Sequence, residues 1–256
     1  MRSRTGLVAL ITVVLAAAVA CAPGTAGRSG SSAAPPTVGQ HAIRLAVATI
    51  TQTSPRQVRA QFEQLLGLHA LLAVRQMRSV IVAAPELQGA AGAALEANTD
   101  ALSRLVASAY GGAQADRFTP LWQRHLADLM AYAKGAATNP SATQTARAAL
   151  LADADAYGSW LGVRMHVEEL MEQADAYAAR DYQQAYRIQR EAYQHMFTAG
   201  ASLAKASLTP EVAVALEAPP EKLRSAFAML LGEHLELIVE AQRATFAGSA
   251  EFQAAA

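Results

Sequence analysis

Five of the six histidines, His69, His125, His166, His195 and His234, fall in separate apolar segments of helical period. Neutral imidazole is the commonest protein ligand for transition metals, and helical bundles build metal sites from side chains on facing helices. His69 lies between Leu65 and Leu72, His125 between Leu121 and Leu129, and His234 between Leu230 and Leu237 or Ile238. Those spacings turn all three toward the apolar side of their helices. Met165 precedes His166 and Met196 follows His195, and thioether with imidazole suits Cu(I). The candidate metal ligands are therefore His69, His125 and His195 foremost, with Met196 and His166, for copper or another transition metal. A competing reading is structural. Adjacent helical positions point about 100° apart, so neither His-Met pair converges of itself. Buried histidines bonded to a carbonyl or a tyrosine are commoner than ligands, and methionine is an ordinary core filler.

Sharper chemical signatures are missing from the sequence. It has no Glu-x-x-His of the di-iron kind and no His-Glu-x-x-His of the zinc proteases. His166 and Glu169, at i and i+3, could share a metal or a proton, with a surface hydrogen bond as the alternative. No serine sits in a Gly-x-Ser-x-Gly elbow and no glycine run forms a phosphate loop. Glu168 with Glu169 and Asp153 with Asp155 fall on mainly polar faces, where solvation is the default. Trp122, Tyr157, Trp160, Tyr177, Tyr182, Tyr186 and Tyr193 could line an apolar or sugar-like groove, although such residues more often pack helices together. With no reaction class indicated, the sequence reads as a binding protein and not an enzyme. Its 21 basic and 21 acidic residues cancel, so no long-range field favours nucleic acid.

The elements that must position these residues are helices. Hydrophobic residues make up 52% of 256, ample for a core, and from residue 54 onward apolar residues recur at three and four. A first helix starts with Ser54 as cap and Pro55 inside it, carries Phe62, Leu65, Leu66, His69, Leu72 and Val80, and stops before Pro85. A second ends at Gly111 and Gly112, glycines suited to a left-handed cap. A third spans roughly residues 113–134, with Pro120 bending or delaying its start, and "KGAATNPSAT" reads as a loop. Three more helical segments follow, with joints near Gly162 and Asp181. Pro210, Pro219 and Pro220 make residues 208–220 a connector with room for one short helical turn, and a last helix begins near Glu221. The expected fold is an all-α, up-and-down bundle over residues 54–207, the connector, and a C-terminal helix over 221–256.

The N-terminus carries an export pattern. Arg2 and Arg4 precede the apolar run "GLVALITVVLAAAVA", which is too short for a typical spanning helix and ends in small residues. The only cysteine, Cys21, follows at once, and "AAVAC" resembles the site at which bacterial lipoproteins are lipidated and cleaved, with Ala18 where leucine is usual. Residues 1–20 are thus expected to be a signal peptide, Cys21 the lipidated residue, and residues 21–53, rich in Ala, Pro, Gly and Ser, a flexible tether. The stretch "IRLAVATI" within it reads equally as strand or as early helix. This places the protein outside the cytoplasm, anchored to a bacterial membrane by lipid.

The C-terminal helix repeats the first. A shift of 165 positions aligns Arg59 with Arg224, Phe62 with Phe227, Leu65-Leu66-Gly67 with Leu230-Leu231-Gly232, His69 with His234, Leu72 with Leu237, Val74 with Val239 and Arg78 with Arg243. Such self-similarity is an internal repeat, with one full unit followed by the first helix of a second. Phe227, Leu230, Leu231, His234, Leu237 and Ile238 form a stripe with no intrachain partner from that second unit. The helix must dock on the first unit, pair with a helical partner or another copy, or fray.

The succession "LLGLHALLAVRQM", "ALEANTDAL", "AYGG", "LWQRHLADLMAYA" and "EAYQHMFTAGASLA" resembles the tandem helical repeats of secreted or lipid-anchored bacterial proteins of unassigned function, some of them labelled copper amine oxidase-like. The resemblance covers residues 57–256 and is most specific at Gly67, His69, Asn98, Tyr110, Gly111, Trp122, His125, His195 and Met196. It implies an all-helical extracytoplasmic module. Members usually hold two complete units, and this chain departs from them in the second.

Overall fold

The computed structural model describes residues 54–256, with residues 157–161 described by their backbone alone. The export segment, Cys21, the tether and "IRLAVATI" lie outside the described residues, as do the side chains of Tyr157 and Trp160. Nine helices and no strand are found among the described residues: α1 (Pro55–Ile81), α2 (Pro85–Tyr110), α3 (Gly112–Thr138), α4 (Pro140–Leu161), α5 (Arg164–Ala178), α6 (Tyr182–Ala206), α7 (Pro210–Ala215), α8 (Pro219–Ala247) and α9 (Phe252–Ala255). The fold is an all-α bundle, and no helix among the described residues is long and apolar enough to cross a membrane.

Local chemistry sets the helix boundaries. Ser54 Oγ accepts from Gln57 N while the Gln57 side chain accepts from Ser54 N, a reciprocal capping box with Pro55 just inside. Gly111 alone, at φ 90°, turns the chain from α2 into α3, while Gly112 is already helical. The loop expected at "KGAATNPSAT" is a correction: α3 runs to Thr138 and α4 starts at Pro140. Asn139 is enough to make that joint, because its side chain accepts from Ser141 N and Ala142 N and Pro140 fits the first helical position. Gly162, at φ 62°, separates α4 from α5, and Asp181 caps α6 by accepting from Gln184 N. Pro120 sits inside α3 without ending it.

α1 is the central helix. From His69 to Val74 every residue is buried, the pattern of a helix covered on all sides, and it packs against α2, α3, α5 and α6. α6 lies closest. A Cβ at Gly200 would stand 2.5 Å from Phe62 O and 2.6 Å from Glu63 N, so only glycine permits the two backbones to approach this far. Phe62, Leu66, Met77, Leu102, Trp122, Leu129, Tyr132, Leu150, Leu170 and Met171 fill the core around it.

α8 docks on α1 and α6 with its carboxylate face turned in. Glu221, Glu236 and Glu240 are buried, while Phe227, Leu230, Leu231, Leu235, Ile238 and Val239 are exposed. Phe62 is 0% exposed and its repeat equivalent Phe227 is 65% exposed. The expectation that His234 faces inward is corrected: its side chain is exposed, because the opposite face of α8 meets Arg75 and Arg78 on α1. Arg75 pairs with Glu236 and Glu240, Arg243 pairs with Glu240 and Glu251, and Tyr186 Oη donates toward Glu240 and Glu251 at 3.2 and 3.1 Å.

Candidate metal centre

His69 comes from the middle of α1, His125 from α3 and His166 from the first turn of α5. They are 0%, 2% and 0% exposed. One ring nitrogen from each lies within 4.8 Å of the other two, and ring centroids are 5.7 Å apart for His69 and His125, 5.4 Å for His69 and His166, and 6.1 Å for His125 and His166. Three helices thus bring three imidazoles to one point.

None of the six ring nitrogens has a hydrogen-bond partner. Buried polar groups are nearly always paired, so three adjacent unpaired imidazoles in a closed core call for a missing partner. The Trp122 ring covers the cluster, with its centroid 4.3 Å from that of His69 and 5.6 Å from that of His125, and Phe118 stacks behind Trp122. Burial keeps the triad neutral. It drives His69 well below the ordinary imidazole range, with His125 adding to the effect. It lowers His166 likewise, with further repulsion from His69, His125 and His195. Burial lowers His125 to about 4, against a partial offset from Asp153. Neutral imidazoles with free lone pairs are the form that binds metal.

Two acidic groups stand close by. Asp153 is buried, in correction of the solvated reading, because Arg124 on α3 grips it through Nε at 2.8 Å and Nη2 at 2.7 Å. Glu169 meets His195 Nδ1 at 3.1 Å, both side chains being about one-fifth exposed. Glu169 therefore pairs with α6 across the helix interface, and the local pairing with His166 does not form, since His166 points into the core.

Of the sequence candidates, His69, His125 and His166 come together. His195 sits outside the triad with Glu169. Met196 is buried in the same apolar core, whereas Met165 is exposed and faces solvent. Among the aromatic candidates, Tyr177 and Tyr186 sandwich the Arg78 guanidinium, at 4.9 and 4.2 Å from their centroids. Tyr182 packs edge-on against Tyr177, and Tyr193 donates to Met229 O at 3.1 Å. Asp153 stands out in the sequence only as one of a pair of carboxylates with Asp155, and its burial depends on the crossing of α3 and α4 that brings Arg124 to it.

A tri-imidazole cluster of this kind can hold a transition metal with positions left for an exogenous ligand. Comparison with protein-family models, with curated proteins and with solved structures finds no match to this chain.

Proposed function

We propose that this chain is a transition-metal-binding helical module, exported and held at the outer face of a bacterial cytoplasmic membrane by a lipid on Cys21, and that it works by holding a metal such as copper instead of turning over a substrate. One observation carries the metal reading: three fully buried imidazoles from three helices have all six nitrogens unpaired and one donor atom each within 4.8 Å of the others. Nitrogens bound to one ion at about 2.0–2.1 Å lie roughly 3.3–3.6 Å apart. Binding therefore draws the rings together by about 1 Å, within reach of small side-chain rotations.

The donor set favours Cu(I). Three neutral ligands leave the ion's whole charge in an apolar core, and the Born cost rises with the square of charge, so a monovalent ion costs about a quarter of a divalent one. Imidazole also suits copper and zinc. The test is an anaerobic titration of the protein with Cu(I), then Cu(II) and Zn(II). One equivalent should bind, His125→Ala should weaken binding about a hundredfold or more while helicity is retained, and His195→Ala should have a smaller effect, of the size seen for groups outside the ligand set. Unchanged affinity in His125→Ala refutes the assignment.

A second reading rests on the outward apolar stripe of α8, with Phe227, Leu230, Leu231 and Ile238 at its centre. On this reading the helix recruits a helical protein or a second copy of the chain. Phe227→Ser with Leu231→Ser should then abolish self-association or partner binding in sedimentation velocity without loss of helix. A wild-type chain that is monomeric and partnerless at all concentrations rejects it.

A further inference from the structure

α8 lies parallel to α1 and is held to it on one side, by Glu221 with Arg56, Ser225 with Glu63 and Glu236 with Arg75. Its other side faces solvent, where Leu223, Phe227, Leu230, Leu231, Leu235 and Ile238 are between 40% and 71% exposed. From Ala226 to Gln242 no exposed residue of α8 is charged, whereas the outer face of a solvated helix is normally polar. A large apolar residue carries roughly 200 Å² of surface, so these six present on the order of 600 Å². With the polar residues beside them they approach the ~800 Å² per partner of a stable interface, and a contiguous apolar patch of this size marks an interaction site.

The pattern of the stripe fits a copy of itself. From Leu223 to Phe246 it is centred on His234, which is exposed. Two α8 helices laid antiparallel about a two-fold axis at that point set Phe227 opposite Ala241, Leu230 opposite Ile238 and Leu223 opposite Thr245. Large side chains then meet smaller ones on both flanks, the self-complementarity that an isologous contact requires. Charge points the same way. Lys222 and Arg224 are exposed near the start of α8, and its last turn carries no basic residue. Antiparallel pairing brings these cations to the partner's C-terminal carbonyls, the negative end of the helix dipole, whereas parallel pairing sets cation beside cation.

Resting on the reading of α8 as a recruitment surface, we propose that its partner is a second copy of this chain, paired antiparallel through α8 about an axis at His234. Glu236 and Glu240 stay on Arg75 and Arg78, so pairing asks for no rearrangement of the bundle. It removes from water the apolar side chains that the fold itself leaves exposed.

The test uses the full chain carrying Cys21→Ser, which removes its only cysteine and the lipid proposed there. Sedimentation velocity should show a concentration-dependent dimer. Phe227→Ser should weaken it by about a hundredfold or more, because each change acts twice in a two-fold interface, and helicity should be retained since the side chain is exposed. A short bis-maleimide should crosslink His234→Cys to its own copy, and Leu223→Cys to Thr245→Cys in a mixture of the two. Leu223→Cys alone should stay uncrosslinked, since its two copies then stand about 33 Å apart at 1.5 Å per residue. Self-crosslinking of Leu223→Cys, or a dimer indifferent to Phe227→Ser, overturns the proposal. A monomer that binds a different protein through Phe227 and Leu231 overturns it while leaving the recruitment reading standing, and a monomer with no partner at all overturns both.

Discussion

Acidification should unfold the metal-free protein through the three buried histidines. Each has a folded-state pKa below the unfolded value of about 6.5, so the unfolded chain binds more protons throughout that window. Stability is then highest above pH 6.5 and is lost as pH falls. Between pH 7 and pH 5 each histidine that stays neutral in the fold removes about 2 kcal/mol, and three remove about 6 kcal/mol. That is comparable with a whole domain's stability, on the order of 5–15 kcal/mol. Near pH 4 His125 begins to titrate in the folded state too, and its share of the slope ends. The assay is urea unfolding followed by circular dichroism, in chelator, at pH 7, 6 and 5. His69→Phe, His125→Leu and His166→Leu should each flatten the loss by about 2 kcal/mol, and comparison with wild type cancels every other titrating group. An unfolding free energy that is the same within about 1 kcal/mol at pH 7 and pH 5 refutes the reasoning.

Gly200→Ala should destabilise the bundle by about 1–3 kcal/mol or more, because the new methyl meets the backbone of α1 and not a movable side chain; a thermal melt unchanged from wild type contradicts it. Glu240→Gln removes a buried partner of Arg75, Arg78 and Arg243. It should weaken α8 docking by about 3 kcal/mol, seen as faster amide exchange in α8 with α1–α6 unaffected. Cys21→Ser should abolish metabolic labelling by a fatty acid and move the protein from the membrane to the soluble fraction; continued labelling removes the anchor from the proposed function.

Helix boundaries were legible because their chemistry is local. Ser54 with Pro55, Gly111 and Asp181 act within a turn of the residues they cap, so a linear reading finds them. The joint at Asn139 was missed for the opposite reason: a single capping side chain replaces the loop that a Gly-Ala-Thr-Asn-Pro-Ser composition suggests. The inward placement of His69 and His125 followed from apolar spacing. Convergence did not, since it depends on how α1, α3 and α5 rotate and cross. His195 stood ahead of His166 among the candidates although each has a methionine neighbour, yet His166 joins the triad and His195 pairs with Glu169. The orientation of α8 was hidden for a related reason. Amphipathic spacing shows that two faces differ, and here the surface awaiting α8 offers Arg75 and Arg78, so its carboxylates turn in and its leucines turn out.

That inverted docking has a thermal consequence. Heat capacity rises when apolar surface meets water and falls when polar surface does. Unfolding the bundle uncovers Phe62, Leu66, Trp122 and their neighbours, so its stability follows a curved dome that declines on cooling as well as on heating. Lifting α8 away uncovers Glu236, Glu240, Arg75 and Arg78 as well as Leu71, Tyr193 and Phe197, on which Ala228 and Met229 pack, so the polar share offsets part of the apolar one and its heat-capacity change per unit area should be smaller than the bundle's. In the cold the hydrophobic bundle therefore weakens more steeply than the grip of the C-terminal helix, whose buried ion pairs are also little screened by added salt.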